Sequence, residues 1–181
     1  MQFIQMLDNK ILEFIRINLH TPIMDKIVPI VTSLGNMGLI WIVIGLAFIA
    51  NKKYRKYGII MLCTLCIGAL IGDGIIKPLV ERERPFNFVE NIQLLIEAPT
   101  SFSFPSGHTM SSFAAATIIY IANKKMGIGA FLLAALIGFS RMYLYVHYPS
   151  DVLIGCVLGI ILSTCIYKII SPKYDKKFNN S

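Results

Sequence analysis

The chain has 181 residues, 55% hydrophobic and 15% charged, with a mean hydropathy of +0.65 and a formal charge of +7. A soluble domain carries about 45–50% apolar and about 25% charged residues, so this composition excludes an ordinary water-soluble globule. The lysines and arginines stand in short clusters between long apolar runs, which reads as membrane topology and not as a nucleic-acid surface.

Residues Phe3 to Leu19 repeat Ile4, Leu7, Ile11, Phe14, Ile15 and Leu19 at helical spacing, with Asp8, Lys10, Glu13 and Arg16 between them. That pattern predicts an amphipathic helix in the interface, and a helix packed on the rest of the fold is the plain alternative. Met1 to His20 shows no cleavable signal pattern.

Five runs come close to the ~20 apolar residues of a spanning helix. They are Leu39–Ala50 with Asn36–Gly38 completing the turn before it, Tyr57–Ile76, Ser106–Ala122, Ile128–Tyr145 and Ser150–Ile170. A sixth, Pro22–Leu34, carries Asp25, Lys26 and Pro29 and reads as a short or kinked span. The expected architecture is all-α. An amphipathic helix (residues 1–20) precedes a six-helix transmembrane bundle (residues 21–170) and a frayed polar tail, Ser171–Ser181.

Cys63 and Cys66 form a C-x-x-C inside an apolar run, without a second pair at zinc-ligand spacing. With Cys156 and Cys165 they read as small buried hydrophobes.

Basic clusters fall at Lys52, Lys53, Arg55 and Lys56, at Lys124 and Lys125, and at Lys168, Lys173, Lys176 and Lys177. Alternating spans put all three on one side, which the positive-inside rule makes cytoplasmic. The opposite side receives the turn near Gly35, the long loop Pro78–Pro105 and the segment Arg141–Pro149. Lys77, Arg82, Arg84 and Arg141 defy that charge rule, which marks them as functional candidates; Glu81, Glu83, Glu90 and Glu97 share the loop.

Three clusters fall on that side. In the first, Lys77 ends a span and Arg84-Pro85 follows. Arginine grips phosphate through paired N–H bonds and lysine as a point charge, while snorkelling to headgroups is the plain alternative; Arg82 reads as a solvated or headgroup contact. In the second, Pro105-Ser106-Gly107-His108 reads as a helix start: Pro105 in the first turn, Ser106 as cap, and Gly107 allowing close ligand approach. Free N–H groups there form an anion site, though alone this is an ordinary capped helix with an interfacial histidine. In the third, Arg141, His147 and Asp151 follow at fixed spacing. A helix starting near Pro149 lets the Asp151 carboxylate reach back to the imidazole, fix its tautomer and leave the other nitrogen nucleophilic. Alone, Asp151 is equally a dipole-favoured helix-start charge.

Cations, a helix N-terminus and two histidines on one membrane face suit a phosphoryl group. No carboxylate cluster has Cys or His at ligand spacing, so neither metal nor cofactor is expected. Mid-span residues are mostly Ile, Leu, Ala and Gly, which argues against a transporter.

Together the clusters resemble the type 2 phosphatidic acid phosphatase (PAP2) superfamily, whose pattern is K-x6-R-P, P-S-G-H and S-R-x5-H-x3-D. Lys77, Arg84, Pro85, Pro105, Ser106, Gly107, His108, Ser140, Arg141, His147 and Asp151 match every position. The resemblance implies a helical fold shared with haloperoxidases. It implies His147 as nucleophile, Asp151 orienting it and His108 protonating the leaving oxygen. Lys77, Arg84, Arg141, Ser106 and the Gly107 N–H would hold the phosphoryl oxygens. It further implies a lipid phosphate or diphosphate substrate at the outer face of a bacterial-type cytoplasmic membrane. Undecaprenyl diphosphate ranks first, ahead of phosphatidylglycerophosphate, phosphatidic acid and lipid A, and phosphotransfer would use the same residues.

Overall fold

The computed structural model describes residues 2–89 and 92–178; Met1, Glu90 and Asn91 of the long loop and residues 179–181 of the tail lie outside them. Among the described residues every regular element is helical. In chain order these are α1 (Gln2–Asn18), α2 (Met24–Leu34), α3 (Leu39–Ala50), α4 (Arg55–Ile71), α5 (Lys77–Val80), α6 (Gly107–Ala122), α7 (Lys124–Tyr143) and α8 (Pro149–Phe178).

α6 is the central element, packed on α7, α8 and α4. Lipid tails are as apolar as leucine, so burial alone does not draw such helices together; close backbone approach does. Gly155 and Gly159, one turn apart on α8, supply it. A Cβ at Gly155 would stand 2.8 Å from the Ser106 carbonyl oxygen, and one at Gly159 would collide with that of Met110. A Cβ at Gly58 of α4 would lie 2.8 Å from the Ile49 nitrogen of α3. Trp41, fully buried, donates its indole N–H to Ser112 Oγ at 2.9 Å and fixes α3 to α6. Ile60, Met61, Ile118 and Ile137 fill the same core. Outward leucines and isoleucines, among them Leu132, Leu153 and Ile161, stay exposed, as lipid-facing positions do.

The expected count of six spans is not confirmed. Among the described residues three helical stretches are long and apolar enough to cross a membrane: Arg55–Phe88, Lys124–Tyr143 and Pro149–Lys176. A fourth arises if α2 and α3, bent by 45°, count as one. The break lies at Gly35–Gly38, where Met37 (φ 51°) and Gly38 (φ 69°) are left-handed. α6 has 16 residues, about 24 Å at 1.5 Å per residue, and is wrapped by its neighbours. Separate α2 and α3 spans would put α1 at the opposite end from the three clusters. Instead α1 packs on α7 and α8 beside Ser150, at the same end. Apolar periodicity locates runs but does not tell a hairpin from a bend.

The tail is also corrected: α8 continues through Phe178, past Pro172, where a frayed segment is expected from Ser171. Lys56 Nζ meets Asp175 Oδ1 at 3.0 Å and ties that end to α4. The basic clusters of the α3–α4 turn, the start of α7 and the end of α8 share this end, away from the site. All four cysteines are free thiols.

Candidate active site

The clusters meet because four elements begin or end together: α5 and α7 finish where α6 and α8 start. Between α4 and α5, Gly72–Ile76 forms a π-turn, a local widening frequent at functional sites. Lys77 follows it and is nearly buried, its Nζ 2.6 Å from Asp73 Oδ1 and 3.2 Å from Ser101 Oγ. Glu81 then turns the chain out in a left-handed conformation (φ 48°).

Arg84 is buried and heavily engaged. Its Nε donates to the Ser101 carbonyl at 2.6 Å, Nη1 to the Val146 carbonyl at 2.7 Å and Nη2 to the Phe102 carbonyl at 3.2 Å. Nη1 also lies 3.3 Å from His147 Nε2. A guanidinium has no acceptor, so Nε2 is the unprotonated nitrogen and the proton sits on Nδ1. Nδ1 faces Asp151 Oδ2 at 3.5 Å and Ser103 Oγ at 3.4 Å. The backbone supports this: the Val146 and His147 N–H groups donate to the Arg141 carbonyl at 3.2 and 3.3 Å, around a left-handed Tyr145 (φ 59°).

Asp151 is completely buried in the first turn of α8. Its Oδ2 accepts from Ser103 Oγ at 2.5 Å and from the Tyr148 N–H at 2.9 Å. Burial pushes the His147 imidazole down to about 3; the Asp151 hydrogen bond pulls it up, and Arg84 and Arg141 push it further down. The ring is therefore neutral near pH 7, the state in which a lone pair is available.

Ser106 caps α6, its Oγ accepting from the Thr109 N–H at 3.4 Å and from Thr109 Oγ1 at 2.9 Å. Two expectations change here. Pro105 lies before the cap and outside the helix, with a cis bond from Phe104. Ser106 is fully buried and stands behind the wall, leaving the Gly107 backbone at the cavity. His108 Nε2 donates to Asn36 Oδ1 at 2.9 Å. Arg141 is buried, with Nη1 2.6 Å from Thr32 Oγ1 and Nε without a partner among the described residues.

Lys77, Arg84, Gly107, His108, Arg141 and His147 line one cavity of about 1030 Å³. Its lower part runs between apolar and small side chains, Leu65, Gly68, Ala69 and Leu162. Among the described residues no group of three His, Cys, Asp or Glu is placed to hold a metal ion.

Arg82 corrects the sequence reading most sharply. It is no solvated headgroup contact: its Nη1 donates to Asp151 Oδ1 at 2.6 Å, with the guanidinium 3.9 Å over the Tyr148 ring. Ser101, Ser103 and Asn36 were also invisible, because loop polar residues carry no periodic signal. Asp73 did carry one: a carboxylate within an apolar run, four residues before Lys77.

Residues 53–175 match the PAP2 superfamily. The chain belongs to it. It is a membrane phosphatase of that superfamily. It is 35% identical over 139 residues to an undecaprenyl-diphosphatase of Sulfolobus acidocaldarius, covering 76% of this chain and 67% of that protein. To phosphatidylglycerophosphatase B of Bacillus subtilis it is 31% identical, covering 80% of this chain and 74% of the relative. The structure is similar to that of a transmembrane PAP2-type phosphatidylglycerolphosphate phosphatase from Bacillus subtilis. The TM-score there is 0.75 at 29% identity, covering 98% of this chain and 89% of the other. Against LpxE of Aquifex aeolicus the TM-score is 0.79 at 26% identity, covering 90% and 95%.

Proposed function

We propose that this phosphatase hydrolyses a lipid diphosphate, undecaprenyl diphosphate in the first place, from the extracytoplasmic face of the cytoplasmic membrane. The observation that carries the reading is His147. Its Nδ1 is turned to a buried carboxylate, and its Nε2, in contact with Arg84, stands at a cationic cavity shared with His108.

In this reading Nε2 attacks phosphorus and a P–N bond forms as the bond to the leaving oxygen breaks. His108 delivers its proton to that oxygen, which replaces Asn36 as acceptor. Asp151 stabilises the charge that develops on the His147 ring. Lys77, Arg84, Arg141 and the Gly107 N–H receive the phosphoryl oxygens, while Ser106 holds the helix start that presents Gly107. Water, its proton taken by His108, then cleaves the P–N bond and releases phosphate. No step calls on a metal.

The apolar lower cavity suits a lipid tail, and the undecaprenyl-diphosphatase relative favours a prenyl one. The basic clusters at the far end support an outward-facing site. Phosphatidylglycerophosphate is the second substrate, favoured by the phosphatidylglycerophosphatase relative and structural neighbour. A phosphotransferase would share the chemistry and differ only in the acceptor that replaces water.

The deciding experiment is phosphate release by the purified protein from undecaprenyl diphosphate, phosphatidylglycerophosphate, phosphatidic acid and a lipid A analogue. The diphosphate should give the highest kcat/KM, and a higher value for another lipid overturns the preference. His147→Ala should abolish release with the fold intact; retained turnover removes His147 as nucleophile.

A further inference from the structure

α1 carries a buried charge that its role as an interfacial helix does not require. Its face toward the other helices is Asp8, Leu12 and Ile15, while Phe3, Ile4, Leu7 and Phe14 remain exposed. Asp8 is 3% exposed. Its Oδ1 accepts from the Ser150 N–H at 2.9 Å and its Oδ2 from Ser150 Oγ at 2.6 Å. The counter-charge is Arg82, whose Nη2 reaches Asp8 Oδ2 at 2.7 Å and Gln5 Oε1 at 2.8 Å. The other nitrogen, Nη1, holds Asp151 Oδ1 at 2.6 Å and Ser150 Oγ at 2.7 Å. One guanidinium thus joins two buried carboxylates from helices far apart in sequence.

A buried ion pair is weak evidence for stability, since an apolar side chain would pack at that position without a desolvation cost. What the arrangement does supply is direction. Asp151 has two oxygens: Oδ2 faces His147, Ser103 and the Tyr148 N–H, and Oδ1 faces Arg82. The plane of the carboxylate, and with it the bond that orients His147, is fixed from the side of α1.

We propose that Arg82 is a positioning residue and that Asp8 holds it there, so that α1 is a working part of the enzyme and not only a membrane anchor. The chain Asp8–Arg82–Asp151–His147 acts in series, and the inference rests on the reading of His147 as nucleophile and Asp151 as its partner. Displacing α1 from its seat turns Arg82, and the Asp151 carboxylate turns with it.

The test compares Arg82→Gln, Arg82→Lys, Asp8→Asn and the double variant R82Q/D8N as full-length protein in detergent micelles with lipid substrate. Arg82→Gln should lower kcat on the order of 100-fold, the cost of a misplaced reacting group, and leave KM within about two-fold. Arg82→Lys should recover part of that loss. Asp8→Asn should lower kcat as well. The double variant should be no worse than R82Q alone, because links in series do not add. A merely structural pair would change the amount of folded protein and its Tm, not kcat per folded molecule. Wild-type kcat in folded R82Q overturns the proposal, as do multiplicative losses in the double variant. Where R82Q does not fold, wild-type kcat in D8N overturns it. His147→Ala, run alongside, separates the two failures: if it stays active the reading of the site has fallen, and if it is dead while R82Q is unimpaired only the chain through Arg82 has.

Discussion

A neutral imidazole between a carboxylate and a guanidinium sets the chemistry at the scale of single residues. His147 lies low on the pH scale because burial disfavours its charged form. In the unfolded chain it titrates near 6.5. Between that value and the folded one, the unfolded state binds the extra proton, so stability rises with pH across this window and falls as pH drops below about 6.5. Unfolding in detergent followed from pH 7.5 to 4.5 should show this loss, and His147→Asn should flatten it. A slope unchanged in the variant would assign the loss to other groups. Asp151→Asn should reduce turnover less completely than His147→Ala, since the ring loses its orienting charge but keeps its lone pair; equal losses would make Asp151 indispensable in its own right. Arg141 offers a buried N–H without a partner among the described residues, in the cavity that Lys77, Arg84 and the Gly107 backbone also line. Vanadate, a phosphate mimic, should therefore inhibit and raise Tm, with about 2.7 kcal/mol of stabilisation at 100 times its Kd. EDTA should leave turnover unchanged, and strong inhibition by EDTA would overturn the metal-free mechanism.

Helices deliver these residues, and their contacts set the distances. Gly155 and Gly159 let α8 lie against the first turns of α6, which is how the buried Asp151 of one helix comes to stand behind His147, in the wall of the cavity that His108 of the other helix lines. Gly159→Leu would force the Met110 carbonyl away. The variant should lose turnover together with thermal stability, unlike His147→Ala, which should lose turnover alone. A Gly159→Leu protein with wild-type Tm would refute the account of this contact. The π-turn before Lys77 and the left-handed Glu81 after α5 do the same work on the other wall, aiming Lys77 inward and sending the chain into the loop that carries Arg82, Arg84, Ser101 and Ser103.

Taken whole, the molecule has a basic end and a catalytic end, and α1 sits at the catalytic one. The bend between α2 and α3 makes this so. Single cysteines in a background with the four native ones replaced by alanine test it. Asn9→Cys and Glu97→Cys should react with an impermeant maleimide from the same side, and Lys124→Cys from the other. Asn9 labelling together with Lys124 would restore the hairpin and overturn the single bent span.

The order and spacing of the three clusters were enough to single out Lys77, Arg84, His108, Arg141, His147 and Asp151 as candidates, and the structure brings them to one end of the fold, because they stand at helix ends and fixed spacing at a helix end is local. Composition likewise decided that lipid is the solvent, and apolar runs located most of the helices. Three matters were left to the tertiary structure: whether α2 and α3 fold back or bend, where the tail ends, and what Arg82 and Asp8 do. Asp8 and Arg82 stand 74 residues apart and each looks like an ordinary surface charge. Only packing buries Asp8 and half-buries Arg82 beside it, and that partial removal from water turns two solvated ions into a fixed link, because water screens a charge pair less where one partner is enclosed.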